Sequence, residues 1–156
     1  MDSENQQGQR SGASGGDELL QLVSFRIGDE EFGVDILKVQ EINRMLEVTQ
    51  VPDVPDYVDG VINLRGKVIP IIDLRRKFGL ERKEPDKHTR IIVVDLSGNV
   101  IGFIVDAVQE VLRIPRSVTE PPPAIVADGR AEYITGVGKL DDRLLLLLEL
   151  DKILLN

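Results

Sequence analysis

Cysteine and tryptophan are absent from the 156 residues, and histidine occurs once, as His88. Without cysteine there is no disulfide, thiolate zinc site, iron–sulfur cluster or thiol nucleophile. One histidine excludes His-rich metal sites and leaves a Ser-His-Asp triad without support. Aromatics are scarce, four Phe and two Tyr, so an oligonucleotide-stacking surface is not expected. Basic residues are outnumbered, 19 against 27 acids for a net charge of −8. That balance argues against non-specific nucleic-acid binding and a polybasic membrane contact. The longest apolar run, Leu144 to Leu148, has five residues, far short of the ~20 of a membrane helix. No signal peptide is visible at the N-terminus. The expectation is a cytoplasmic protein with no membrane insertion.

What is present is Val, Ile and Leu in short runs between turn residues. Residues 1–16, rich in Gln, Ser and Gly, are expected to form a disordered tail. From 17 to 156 the pattern is of strands. Gln21, Val23, Phe25 and Ile27 alternate with Leu20, Leu22, Ser24 and Arg26, ending at Gly28-Asp29, with Glu31 to Asp35 returning as a hairpin partner. Ile36, Val39 and Ile42 follow helical spacing, with Asp35 placed as a cap, so Ile36 to Arg44 is expected as a helix of about two turns. Val58 to Leu64 and Lys67 to Leu74 read as strands joined at Arg65-Gly66, followed by a brief helix to Phe78 stopped at Gly79. Arg90 to Leu96 and Val100 to Asp106 make a hairpin over Ser97-Gly98-Asn99, and Ala107 to Leu112 follows. Pro115 to Arg130 is irregular. Tyr133 to Leu140 and Arg143 to Leu150 form a last hairpin, with Asp151 capping a final turn, Lys152 to Leu155.

The two halves resemble each other. Residues 60–80 align with 136–156 with Gly60/Gly136, Val61/Val137, Leu64/Leu140 and Leu74/Leu150 identical. Residues 32–42 align with 101–111, with Gly33/Gly102 and Val39-Gln40-Glu41/Val108-Gln109-Glu110 identical. Two related β-rich units follow, each a hairpin, a short helical link and a second hairpin. Closed barrels remove the exposed edges of such short strands, and Gly33 and Gly102 suit tight barrel bends. The fold expected is all-β: two small five-stranded barrels packed side by side, with short helices.

Catalytic motifs are missing. Gly136-Val137-Gly138 begins a GxGxxG pattern that fails at Asp141, and no phosphate-binding GxxxxGK[ST] occurs. Asp141-Asp142 reads as a turn, and Arg75-Arg76-Lys77 as dipole compensation at a helix end. Neither an enzyme nor a cofactor or metal site is expected.

The segments DEEFGVDILKVQEI (29–42), GVINLRGKVIPIIDLRRKFGL (60–80), IGFIVDAVQEVLRI (101–114) and EYITGVGKLDDRLLLLLELDKIL (132–154) resemble the CheW-type chemotaxis coupling proteins over about residues 18–156. The run GVINLRGKVIPIIDLR is specific to that family and to the homologous regulatory domain of the CheA histidine kinase. The resemblance implies two five-stranded SH3-like barrels and a non-enzymatic adaptor. Its partners would be the cytoplasmic tips of methyl-accepting chemoreceptors and the CheA regulatory domain. No receiver domain or kinase core is seen.

For site residues, Arg65 comes first. It is either a charged hairpin tip or a receptor contact, and the aligned Asp141 argues that the barrel does not demand arginine there. Asn63 would orient it. Ile36 and Val39 are either core or, as the resemblance implies, the border of a receptor groove between barrels, with Glu41 as a functional acid and Val105 and Val108 facing the same groove. For the kinase, the resemblance carries over Gly60 and the Arg44-Met45-Leu46 loop, where Met45 and Leu46 would be exposed apolar residues. A small-ligand-binding or enzymatic double barrel is the second reading.

Overall fold

A computed structural model describes residues 18–122 and 132–154. The expected tail, residues 123–130 of the proline-rich stretch and the last residues of the final turn lie outside them. The chain starts with a hairpin, β1 (Leu19–Ile27) and β2 (Glu30–Asp35), in register from Leu22↔Asp35 to Ile27↔Glu30. The expected helix over Ile36 to Arg44 is not formed. A single 3-10 turn, Ile36–Lys38, is capped by Asp35, whose Oδ1 accepts the Leu37 N–H at 2.9 Å. The chain then extends as β3 (Val39–Arg44), whose residues alternate half-buried and exposed. Period-two burial overrides the helical spacing of three apolar residues, because the strand Arg90–Leu96 offers a ladder for β3 to join.

The remaining strands follow the sequence pattern: β4 (Val58–Leu64), β5 (Lys67–Asp73), β6 (Arg90–Leu96), β7 (Asn99–Val105), β8 (Ala107–Pro115), β9 (Thr119–Glu120), β10 (Ile134–Leu140) and β11 (Arg143–Leu148). The helices are short, α1 (Leu74–Lys77) and α2 (Leu150–Leu154). Asp73 caps α1, its Oδ1 accepting the Arg75 N–H at 3.0 Å. Asp151 lies inside α2 rather than ahead of it.

Two sheets result, ordered β3-β6-β7-β5-β4 (the first barrel) and β8-β1-β2-β11-β10-β9 (the second). Both are all-β units that curl back on themselves. In the first, the chain leaving β3 at one edge reaches Thr49, which pairs with Val61 of β4 at the other edge. In the second, β8 at one edge runs through a 3-10 turn, Arg116–Val118, into β9 at the other.

The barrels do not coincide with the two sequence repeats. Each takes its two-stranded hairpin from one repeat and its remaining strands from the other. β1 and β2 sit between β8 and β11, while β6 and β7 sit between β3 and β5. The parallel contacts Leu147↔Gly33 and Ile71↔Gly102 occupy matching positions in the two barrels. The crossovers are clamped by ion pairs. Asp106, between β7 and β8, accepts at Oδ2 from Arg75 Nη1 (2.6 Å) and the Gly28 N–H (2.7 Å). Lys38, between β2 and β3, bonds Glu149 at 2.7 Å and Asp151 at 3.1 Å. The hydrogen bond it donates to Glu149 leads in raising its ammonium above the usual lysine value.

Interleaving explains why several strands are buried on both faces. On β6, Ile91 and Val93 face the interior of the first barrel with Ile62, Ile69 and Ile71. Ile92 and Val94 face a larger core between the barrels, which also holds Phe25, Phe32, Phe103 and Leu150. The second barrel's own interior is smaller: Leu22, Ile114 and Leu145. Gly33 and Gly102 mark no bend of left-handed backbone. They make room: a Cβ on Gly102 would lie 2.6 Å from Ile71 Cδ1, and one on Gly33 would lie 3.1 Å from Leu145 Cδ2.

Candidate functional site

The β4–β5 tip is built by two left-handed residues, Arg65 (φ +52) and Gly66 (φ +86), the pair a tight two-residue hairpin requires. Asn63 fixes that turn: its Oδ1 accepts the Gly66 N–H at 2.8 Å. Asn63 therefore sets the backbone from which Arg65 springs and is not seen bonding the guanidinium. The Arg65 side chain is 70% exposed, yet it forms an ion pair with Glu41 Oε2 on β3. Asn43 Nδ2 donates to the other Glu41 oxygen at 3.1 Å. Arg65 first, then Asn43, hold the Glu41 carboxyl below its usual value.

The second barrel closes in the same way. Arg143, at the start of β11, donates from Nη2 to Glu110 Oε2 at 2.7 Å, and Glu110 is the residue aligned with Glu41. Its Nε also lies 3.2 Å from Glu31 Oε1. The aligned partner of Arg65 is Asp141, but the arginine has moved two residues along the same tip. The argument that hairpin and barrel make no use of an arginine there is thus corrected. Each barrel bridges its seam with one arginine and one glutamate.

Around each bridge stands an exposed aliphatic pair. On the first barrel these are Ile42 and Val68, the latter 71% exposed; on the second they are Val111 and Leu144, the latter 60% exposed. Val111 is the residue aligned with Ile42, and Leu144 the one aligned with Val68. Large exposed aliphatics recurring at matched positions form a repeated surface motif. Sequence reasoning reached Ile42 only as the end of the Ile36–Ile42 segment and passed over Val68, Val111 and Leu144, although the alignment of the halves already paired them.

The other candidates separate by burial. Ile36, Val39 and Val108 are half-buried against the inter-barrel core and keep an exposed edge. Val105 is fully buried in that core, so it has no surface to offer and its placement in a groove is corrected. Leu37, absent from the candidates, is 87% exposed on the 3-10 turn beside them. Arg44 and Leu46 are exposed. Met45 is half-buried against the first barrel's interior, which corrects its expected exposure. Gly60 is buried with φ +148, and a Cβ there would lie 2.2 Å from the Thr49 carbonyl oxygen. Its role is to let the segment after β3 approach β4. The structure thus joins Glu41, Asn63 and Arg65 in one cluster and packs Ile36, Val39 and Val108, half-buried, against the same inter-barrel core.

Among the described residues, no group of three or more acids or histidines is placed to hold a metal ion. No helix among them is long and apolar enough to cross a membrane.

Comparisons with known proteins place this architecture. The chain is 41% identical over 134 residues to the chemotaxis protein CheW of Klebsiella aerogenes, covering 86% of this chain and 81% of that one. It is also 41% identical over 138 residues to the chemotaxis protein CheW of Helicobacter pylori, covering 88% and 83%. The crystal structure of the scaffolding protein TtCheW from Thermoanaerobacter tengcongensis superposes with a TM-score of 0.78 at 36% identity, over 85% of this chain and 90% of that one. The family model of the CheW-like domain matches residues 21–156, and with it the interleaved barrels, the NLRG tip and the relatives agree: the chain belongs to the CheW-like domain family.

Proposed function

We propose that this chain is a chemotaxis adaptor that couples methyl-accepting chemoreceptors to the histidine kinase CheA in signalling arrays, working in the cytoplasm without catalysing a reaction. The observation that carries this reading is the repeated patch. A molecule that must hold two partners at once needs two faces, and each barrel bears an aliphatic pair flanking an arginine–glutamate bridge. Exposed aliphatics next to a charge-assisted pair suit a protein interface, where a few apolar anchors carry the energy and charges set orientation.

Within this reading, Glu41, Asn63 and Arg65 contact the receptor tip, and Ile36, Val39 and Val108 extend that contact along the inter-barrel edge. Arg44 and Leu46 face the kinase regulatory domain, with Met45 and Gly60 supporting their loop from within. The test is co-sedimentation with a receptor cytoplasmic fragment and CheA, using Ile42→Ser/Val68→Ser and Val111→Ser/Leu144→Ser beside the parent. The parent is expected in a ternary complex, and each double variant is expected to keep its melting temperature and lose one partner. Failure of the parent to join either partner, or partner binding untouched in both variants, overturns the reading.

A further inference from the structure

The two barrels carry the same ladder at matched positions. In the first, β3 pairs with β6 and sets Ile42 opposite Ile92 and Arg44 opposite Arg90. In the second, β8 pairs with β1 and sets Val111 opposite Val23 and Arg113 opposite Gln21. Both sets follow the alignment that matches residues 32–42 with 101–111. Residues directly opposite in an antiparallel ladder hold their side chains on one face, and like charges there repel. The second barrel avoids that repulsion with a glutamine, so the fold does not require an arginine at position 90.

Neither arginine of the first pair is neutralised. Arg44 is exposed and makes no hydrogen bond or ion pair among the described residues. Arg90 is half-buried and donates from Nη1 to the Lys87 carbonyl at 2.9 Å and the Thr89 carbonyl at 2.8 Å. Those two bonds anchor its guanidinium and leave Nε and Nη2 without a carboxylate among the described residues. Glu47, three residues beyond Arg44, pairs with neither arginine there. Asp86 is committed to Lys83 at 3.2 Å and to the His88 N–H at 2.8 Å. Beside the pair, Ile42 and Leu46 are exposed aliphatics.

We propose that this face of the first barrel takes a pair of carboxylates, two Asp or Glu side chains on the surface of the kinase's regulatory domain. Arg90 is then the specificity-determining residue: it makes the first barrel select an acidic partner where the second barrel does not. The inference rests on the adaptor reading, which turns Arg44 and Leu46 toward the kinase. Guanidinium forks match carboxylates two bonds at a time, and an anchored guanidinium loses less freedom on binding. Incoming carboxylates also relieve the repulsion within the pair. The chain's net charge of −8 disfavours nucleic acid or an anionic membrane as the source of the anions. Exposed Ile42 and Leu46 supply the apolar contact that a protein surface offers.

The test measures binding of the full chain to the CheA regulatory domain and, separately, to a receptor cytoplasmic fragment, at about 50 and 300 mM salt. Arg44→Glu gives Arg90 a carboxylate from its own chain. It is expected to melt at or above the parent temperature and to bind the kinase domain about tenfold more weakly or worse. Arg90→Gln, which copies the second barrel, is expected to keep its melting temperature, weaken kinase binding to a lesser degree and flatten its salt dependence. Arg113→Gln is expected to leave kinase binding and its salt dependence unchanged. A parent that binds the kinase domain, with both first-barrel variants binding it equally well, overturns this proposal and leaves the adaptor reading standing. A parent that binds neither partner overturns both. Equal losses toward kinase and receptor in variants with lowered melting temperatures would make the pair structural and overturn the proposal. Saturable shifts of the Arg44 and Arg90 amides by inorganic phosphate, with kinase binding unchanged in both variants, would overturn it in favour of a phosphate site.

Discussion

Arg65 and Glu41 share an ion pair although β3 and the β4–β5 tip belong to opposite edges of one five-stranded sheet. The bond therefore lies across the seam of the barrel. Thr49 and Val61 close the same seam by backbone pairing. The arginine has two competing uses, a structural one inside the molecule and an intermolecular one at an exposed tip. Because the guanidinium is mostly exposed, screening leaves the internal bond a small share of stability.

Arg65→Ala and Glu41→Gln are accordingly expected to fold, with melting temperatures within about 3 °C of the parent. If the tip contacts a receptor, Arg65→Ala weakens receptor binding by about tenfold or more and leaves CheA binding intact. Melting curves paired with separate binding measurements check both halves. A Arg65→Ala variant that binds receptor fully would return the residue to its seam role alone.

The same pair sets an acid dependence. Arg65 depresses the carboxyl of Glu41 below its usual value near 4.5, so the folded form holds its proton less well than the unfolded chain. The bond's contribution is then fully present above about pH 5 and is lost as pH falls through the depressed folded value. Thermal melts from pH 7 to pH 3 should show a shallower acid limb in Glu41→Gln than in the parent. High salt should narrow that difference, since the pair is exposed. Parallel curves at low salt would show that the bond adds nothing.

Most strands were legible because alternation and turn residues agree: Arg65-Gly66 and Ser97-Gly98 fall at the hairpin tips they promised. β3 was not. Over Ile36, Val39 and Ile42 a helical stripe and an alternating strand place the same residues, and only pairing with β6 decides between them. The exchange of hairpins between repeats was also hidden. Ile91 to Val94 announce burial on both faces, but not which strands lie on either side. Of the site, Arg65 and Asn63 were legible as a tip, whereas Glu41 was read on a helix at the border of a groove and its pairing with Arg65 emerges only once β3 joins the barrel. Val105 was not separable from Val108, because one apolar residue of a strand end looks like another until the inter-barrel core closes over it.

The crossover clamp predicts where the barrels are held together. Asp106 is largely buried, and its Oδ2 takes donors from Gly28 at the β1–β2 turn and from Arg75 on α1. Asp106→Ala removes two hydrogen bonds to a charged acceptor, one from the partly buried Arg75 guanidinium and one from the exposed Gly28 N–H, and is expected to cost about 1–3 kcal/mol. That corresponds to a fall of about 3–10 °C in melting temperature. Asp106→Asn retains an acceptor and should recover part of it. Equal melting temperatures for Asp106→Ala and the parent would remove the clamp from the account.

The last expectation uses the duplication as its own control. Gly60 and Gly136 are aligned and both are buried, yet their backbones differ. Gly60 sits at φ +148, and an added Cβ would meet the Thr49 carbonyl oxygen at 2.2 Å and Val48 Cγ1 at 2.7 Å. Gly136 lies outside the positive-φ set, and its Cβ would meet the Glu120 oxygen at 3.2 Å. At Gly60 the obstacle is backbone held by the Thr49–Val61 pairing, so the segment after β3 must move away and the seam opens. Strain of this kind costs about 1–3 kcal/mol before the clash is counted. Gly60→Ala should therefore lower the melting temperature by about 6 °C or more, against a few degrees for Gly136→Ala. Partner binding by Gly60→Ala should recover at temperatures well below its melting point, because the glycine shapes the loop that carries Arg44 and Leu46 and is itself out of a partner's reach. Binding lost at every temperature with the melting point unchanged would instead make Gly60 a contact residue.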